Sequence, residues 1–223
     1  MDRIRIAPSI LACDLARLGE ELARVEAGGA DFIHVDVMDG HFVPNLTLGV
    51  GVTRACARAT GVPVVAHLMI ENPERYVEPF VEAGASYVTV HAEAPGDVAG
   101  AMRAVRAAGA KPGLALRPST DGSNYLELAG EADLLLAMTV EPGFAGQSFM
   151  PEGLENIARV RGALRPGTLV EVDGGVSVEN APACVRAGAR VLVAASAIFH
   201  ASDVAEAVRA LRAAGESALE RAA

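Results

Sequence analysis

Short β-branched apolar runs alternate with Ala-rich amphipathic stretches along the whole chain. Ile4–Leu11 is the first apolar run, and Leu15–Ala27 follows with apolar residues at the helical spacing Leu15, Leu18, Leu22, Val25. The same alternation continues with a strand over Phe32–Val37 and a helix over 49–59. A strand over Val62–Ile70 then leads to a helix opening at Asn72-Pro73, a cap residue with Pro at the first helical position. Strands are predicted at Tyr87–His91, Pro112–Leu116, Asp133–Val140, Leu169–Val172 and Arg190–Ala195. Helices are predicted between and after them at Asp97–Ala108, Asn124–Ala129, Pro151–Leu164, Val178–Ala187 and Asp203–Ala214. Gly28-Gly29, Gly84, Gly109 and Gly188 each stand where a helix must stop and turn through Ala into the next strand.

Eight such units in 223 residues allow about 28 residues each, the length of a parallel strand with its crossover helix. The fold expected is α/β, a single closed (β/α)8 TIM barrel over residues 1–223. An open doubly wound sheet would accept the same alternation, but no strand here is followed by G-x-G-x-x-G or a Walker loop. The chain is 51% hydrophobic and 21% charged, which excludes wholesale disorder. A net charge of −9 argues against nucleic acid or an anionic membrane as partner, since both need a basic surface. No apolar run approaches the ~18 residues of a membrane helix. The first residues lack the pattern of a signal peptide. Cys13, Cys56 and Cys184 show no C-x-x-C spacing and read as reduced thiols, so a cytoplasmic location is expected.

Candidate chemistry lies at the carboxyl ends of the strands, where such barrels form their sites. In His34-Val35-Asp36-Val37-Met38 the residues His34, Asp36 and Met38 share one strand face, with Ile33, Val35 and Val37 on the helix side. His67 ends the third strand and Asp173 the seventh. Two imidazoles and two carboxylates from three strand ends can converge on one divalent ion, and that mixture suits Zn, Fe, Mn or Co better than Mg or Ca. The competing reading is two hydrogen-bonded core histidines and two helix-capping aspartates. A second pattern is glycine in the loops after the sixth and seventh strands, Gly143-Phe144-Ala145-Gly146 and Gly174-Gly175, with Ala195-Ser196 after the eighth. Late loops of this kind bind phosphate through backbone N–H groups, although ordinary turns also use glycine. His91 and Glu93 end the fourth strand and could line the mouth or support it from behind. Pro142–Met150 is long and Gly-rich enough to close over a site.

At these residues the chain resembles the ribulose-phosphate 3-epimerase family. The matching stretches are Ala7–Leu11, Asp31–Asn45 (DFIHVDVMDGHFVPN), His67–Met69, Met138–Phe149 (MTVEPGFAGQSF), Val172–Val176 and Ser196–Phe199. The resemblance implies a ribulose-phosphate-binding type of barrel with one divalent metal ion on His34, Asp36, His67 and Asp173. It implies substrate contacts at Ser9, His67, Gly143, Phe144, Ala145, Gly146, Gly174, Gly175, Ala195 and Ser196, and a methionine cap of Met38, Met69 and Met138. The expected partners are a phosphorylated ketose and further copies of the same chain. Ala145 and Ala195 stand where the family usually has Gly, which leaves room for another phosphorylated sugar such as a hexulose 6-phosphate. The expected reaction is 3-epimerisation of D-ribulose 5-phosphate to D-xylulose 5-phosphate. Asp36 and Asp173 would exchange the proton on opposite faces of an enediolate. A decarboxylase or aldolase-type synthase would want a barrel lysine, and the single Lys, Lys111, precedes the fifth strand at the far end. A non-catalytic sugar-phosphate-binding barrel is the remaining alternative.

Overall fold

A computed structural model of the protein describes residues 3–220. Eight strands run parallel: β1 Arg5–Pro8, β2 Ile33–Met38, β3 Val64–Met69, β4 Ala85–His91, β5 Lys111–Leu116, β6 Leu134–Met138, β7 Leu169–Asp173 and β8 Val191–Ala194. Consecutive strands pair from β2 round to β8, and β8 pairs with β1. The ring is completed between β1 and β2 by a parallel bridge from Ser9 to His34 and by Asp31 N–H donating to the Ile6 carbonyl. The expected (β/α)8 barrel is therefore the fold.

The side-chain alternation of the strands sorts the core into two layers. Ile33, Val35 and Val37 face outward and pack with Leu22, Val25 and Cys56 of the surrounding helices. The other parity fills the barrel itself with Ala7, Phe32, Val65, Tyr87, Ala115, Leu134, Leu136 and Val193. His34 and Asp36 belong to this inward set, so the strand that builds the core also delivers the polar groups to its mouth.

The helices are α1 Leu18–Ala27, α2 Val50–Ala59, α3 Val77–Glu82, α4 Val98–Ala107, α5 Leu126–Glu131, α6 Glu155–Val160, α7 Ala181–Ala187, α8 Ser196–Phe199 and α9 Val204–Glu220. Several start later than periodicity predicts, because a 3-10 turn precedes them. Leu15–Arg17 is one such turn, begun by the Asp14 carboxylate accepting from Ala16 N–H. Pro73–Arg75 and Pro151–Leu154 are others. Asn72 does not cap the third with its side chain; it adopts φ 49°, the one positive φ among the described non-Gly residues. The last helix outruns its predicted end at Ala214. Gly215 lets it lie against β1, where an added Cβ would come within 3.1 Å of Ile4 Cγ2.

Of the paired Gly28-Gly29 only Gly29 takes a positive φ, 87°. Gly28 serves close packing instead, since a Cβ there would sit 2.7 Å from the Ala205 carbonyl oxygen. Cys13, Cys56 and Cys184 are free thiols. Burial pushes Cys56 and Cys184 up to about 12 and Cys13 to about 11, so all three stay protonated and inert. No helix among the described residues is long and apolar enough to cross a membrane.

Candidate active site

Strand register brings the polar residues together. Asp36 pairs with His67 across β2 and β3, and Met138 with Asp173 across β6 and β7. His34 and His67 are wholly buried and Asp36 nearly so. His67 Nδ1 lies 2.9 Å from Asp36 Oδ1, and His34 Nε2 lies 3.2 Å from His67 Nδ1 and 3.3 Å from Asp36 Oδ1. Asp173 Oδ2 is 3.8 Å from His34 Nε2 and 3.9 Å from His67 Nδ1. The Ser9 hydroxyl donates to the second oxygen of Asp36.

Ionised carboxylates only accept, and a neutral imidazole has one donor and one acceptor nitrogen. His34 Nδ1 lies 3.1 Å from the buried Glu171 carboxylate, whose charge favours a proton on Nδ1 and leaves Nε2 to face the cluster. Once His34 Nε2 and Asp173 are deprotonated, four acceptor atoms face one point. Atoms held about 2.0–2.1 Å from a Zn-like ion lie about 3 Å apart at right angles and about 3.4 Å apart at tetrahedral angles. The 2.9–3.3 Å separations among His34, Asp36 and His67 match the edges of such a shell, and Asp173 stands slightly wider at 3.8–3.9 Å. His34, Asp36, His67 and Asp173 thus form a group that could hold a metal ion.

In the metal-free chain the same crowding displaces proton affinities. Burial raises Asp36, but the adjoining His34 and His67 more than offset it and hold Asp36 far below the usual carboxylate range. Asp173 shifts the opposite way, to about 8, by burial and then by the negative charge of Asp36. Burial disfavours charge on His34, yet Asp36 and Glu171 carry it well above the usual imidazole value. Burial dominates at His67 and lowers it to about 4.

Above the cluster, Ser9, Asp36, Met38, Met69, Met138, Gly143, Phe144, Gly146, Asp173, Gly174, Gly175 and Ala195 line one cavity. Met38 and Met69 pack with Val43, while Met138 belongs to the barrel interior. An adjoining pocket is bounded by Gly146, Asp173, Gly175, Ala195 and Ser196. Gly174 and Gly175 adopt φ 119° and 64°; a Cβ on Gly174 would sit 2.6 Å from Val140 Cγ2, and one on Gly175 2.9 Å from the Gln147 carbonyl oxygen. This turn is thereby pressed against the loop after β6. Asn45 Nδ2 donates to the Gly143 carbonyl at 2.7 Å and ties that loop to the one after β2. Ala145 is exposed and lines neither hollow. Ala195 has φ −103° and Ala145 is not among the positive-φ residues, so neither alanine occupies a position that demands glycine.

Sequence reasoning passed over Glu171, which is wholly buried and has no hydrogen-bond partner for either carboxylate oxygen among the described residues. Its signal was available, since it lies two residues before Asp173 and so shares its inward face. His91, placed at the mouth as one option, is wholly buried behind His67 instead.

Residues 5–199 match the model of the ribulose-phosphate 3 epimerase family. The chain is 50% identical over 210 residues to the ribulose-phosphate 3-epimerase of Mycobacterium bovis, covering 93% of this chain and 91% of that protein. It is 44% identical over 213 residues to the enzyme of the same name from Bacillus subtilis, covering 94% and 98%. A solved structure of 3-hexulose-6-phosphate synthase superposes with a TM-score of 0.74 at 26% identity, over 95% of this chain and 99% of that one. By its sequence and its barrel, the chain belongs to the ribulose-phosphate 3 epimerase family of enzymes.

Proposed function

We propose that the protein interconverts D-ribulose 5-phosphate and D-xylulose 5-phosphate, with Asp36 and Asp173 as the two proton carriers. The observation that carries this reading is the placement of two carboxylates from separate strands, Asp36 of β2 and Asp173 of β7, on one cavity beside Met38, Met69 and Met138. Two carboxyl groups on opposite sides of a reacting carbon can serve as base and acid. Asp36 accepts the proton from C3, and the electron pair of the broken C–H bond passes through C2 to its carbonyl oxygen. Asp173 then delivers its proton to the opposite face of C3 as the carbonyl re-forms. The roles reverse in the other direction.

His34, Asp36, His67 and Asp173 would hold one divalent cation of the Zn, Fe, Mn or Co type. Such an ion supplies Lewis-acid stabilisation of the negative charge that develops beside the reacting carbon. Ser9 keeps the Asp36 carboxylate oriented through its hydroxyl. Met38, Met69 and Met138 surround the cavity with apolar atoms and exclude water from the proton-transfer path. The phosphate would lie in the adjoining pocket at Gly146, Gly175, Ala195 and Ser196, where glycine turns permit backbone approach. Gly143 and Gly174 shape the wall between pocket and cluster, and Phe144 and Ala145 stand at the outer rim of the loop. A hexulose 6-phosphate substrate gains no support from Ala145 or Ala195, since neither needs a glycine conformation.

Incubation of candidate ketose phosphates in D₂O, followed by NMR at C3, tests the proposal. Deuterium at C3 of ribulose 5-phosphate with formation of xylulose 5-phosphate is expected. Exchange with a different sugar alone would reject it.

A further inference from the structure

His91, at the end of β4, plays no part in the scheme above, although it is wholly buried against it. Its Nε2 lies 2.9 Å from His67 Nε2, on the far side of the His67 ring from the cluster, and the two rings stack at 27° with centroids 5.0 Å apart. Its Nδ1 lies 3.2 Å from Glu93 Oε2. The other oxygen of Glu93 accepts from Arg117 N–H at 2.9 Å and from the Thr120 hydroxyl at 2.5 Å. Phe42 packs on the His91 ring at a centroid distance of 5.0 Å and is itself covered by the Arg117 guanidinium at 4.1 Å. The assembly is fixed from both ends.

Donor and acceptor roles can be followed along it from the outside. An ionised Glu93 only accepts, and its hydrogen bonds to His91, Thr120 and Arg117 help outweigh burial and lower it to about 2. His91 must therefore carry its proton on Nδ1, which leaves a lone pair on Nε2. That lone pair requires a proton on His67 Nε2. His67 is then left with its lone pair on Nδ1, where without an ion His34 Nε2 at 3.2 Å can donate to it, Asp36 taking its hydrogen bonds from Ser9 and His34.

We propose that Glu93 and His91 are positioning residues that set the tautomer of His67 and aim its Nδ1 lone pair at the cation site. The proposal rests on the reading of His34, Asp36, His67 and Asp173 as that site. It adds that binding competence at His67 is specified two hydrogen bonds away, by a carboxylate that touches neither cation nor substrate. Partners of this kind behind a ligating imidazole characteristically strengthen metal binding.

The isosteric variant Glu93→Gln provides a sharp test. Its amide oxygen is claimed by the fixed Arg117 N–H and by Thr120, so its NH₂ group faces His91 Nδ1 and donates. His91 then protonates on Nε2, and His67 is driven to the Nδ1–H form that cannot ligate. Long-range ¹H–¹⁵N spectra of the metal-free full-length protein near neutral pH, with His67 assigned through His67→Gln, read the tautomer directly. Titration with Co²⁺ against a competing chelator, followed by visible absorption, reads the affinity. The expected results are an Nε2–H His67 in the unmodified protein, an Nδ1–H His67 in Glu93→Gln, and Co²⁺ binding about 10–100-fold weaker in that variant. If Glu93→Gln does not fold, His91→Leu removes the acceptor for His67 Nε2–H and is judged by the same loss of Co²⁺ affinity. An Nδ1–H His67 in the unmodified protein, or a variant with either readout unchanged, overturns the proposal. An unmodified protein that takes up no Co²⁺ rejects the cation reading instead, and the tautomer measurement still judges the relay.

Discussion

Loading a divalent ion into this cluster must displace protons. In the metal-free chain His34 holds a second ring proton at neutral pH because Asp36 and Glu171 flank it in a buried setting. Asp173, raised to about 8, is mostly in its acid form at pH 7. His67, lowered to about 4, and Asp36, held well down, have no proton to give from the atoms that face the cluster. Ligands bind ions only when deprotonated, so about two protons leave per ion at pH 7. The sign follows from this count: raising the pH favours binding. Apparent affinity should climb with pH, most steeply below pH 8, and more gently once Asp173 has lost its proton. Titrating the stripped protein with Zn²⁺ in weakly buffered solution, with back-titration by a pH-stat, counts the protons directly. Asp173→Asn should lower the count by about one. Release of less than about half a proton, or binding indifferent to pH, would refute the assignment of charge in the cluster.

Asp36→Asn should cut epimerisation by about 10²–10⁴-fold or more, the usual reach of a positioned base, while circular dichroism and the melting transition stay those of a folded barrel. A near-normal rate would remove Asp36 from the chemistry. Asp173→Asn should still wash solvent deuterium into C3 of one epimer, through Asp36, while net conversion falls; equal loss of exchange from both epimers counts against a two-sided mechanism. Glu171→Gln replaces the carboxylate behind His34 with a neutral amide, and a roughly 10–100-fold loss of Zn²⁺ affinity is expected by chelator competition. Gly174→Ala forces a Cβ to within 2.6 Å of Val140 Cγ2 at a φ of 119°, and should cost about 1–3 kcal/mol in urea unfolding; an unchanged midpoint would show that the turn relaxes freely.

The strand that carries the chemistry was legible because its period is two. Once Ile33, Val35 and Val37 are assigned to the helix side, His34, Asp36 and Met38 have one direction left, and the structure places them there. Helix stops at Gly84, Gly109 and Gly188 were legible because each adopts a positive φ that few other residues tolerate. Helix starts were not, since a 3-10 turn and an α turn share the same apolar spacing over three or four residues. The short α8 escaped for a related reason, as four residues carry no period. Glu171 and His91 escaped because their importance lies in distances across the barrel, 3.1 Å to His34 and 2.9 Å to His67, which spacing within one strand does not encode.

The way the ring is sewn shut bears on how the chain acquires it. Every strand from β3 to β8 pairs with its predecessor in sequence, so that much of the sheet can grow as each unit is completed. The β1–β8 pairing instead waits for nearly the whole chain, and the adjoining seam is fastened by α9, whose Arg212 donates to the carbonyls of Ile4 and Gly29 and pairs with Asp31. Until then two unsatisfied strand edges remain, each able to template a neighbouring chain. Ser9 and Asp173 stand on either side of this late joint, adjoining strands β1 and β7 that flank β8, so the cavity acquires its full wall only at closure. Catalytic competence should consequently be the last property to emerge during refolding, and lesions at Arg212 should lower the yield of active protein more than they lower the activity of molecules that have closed.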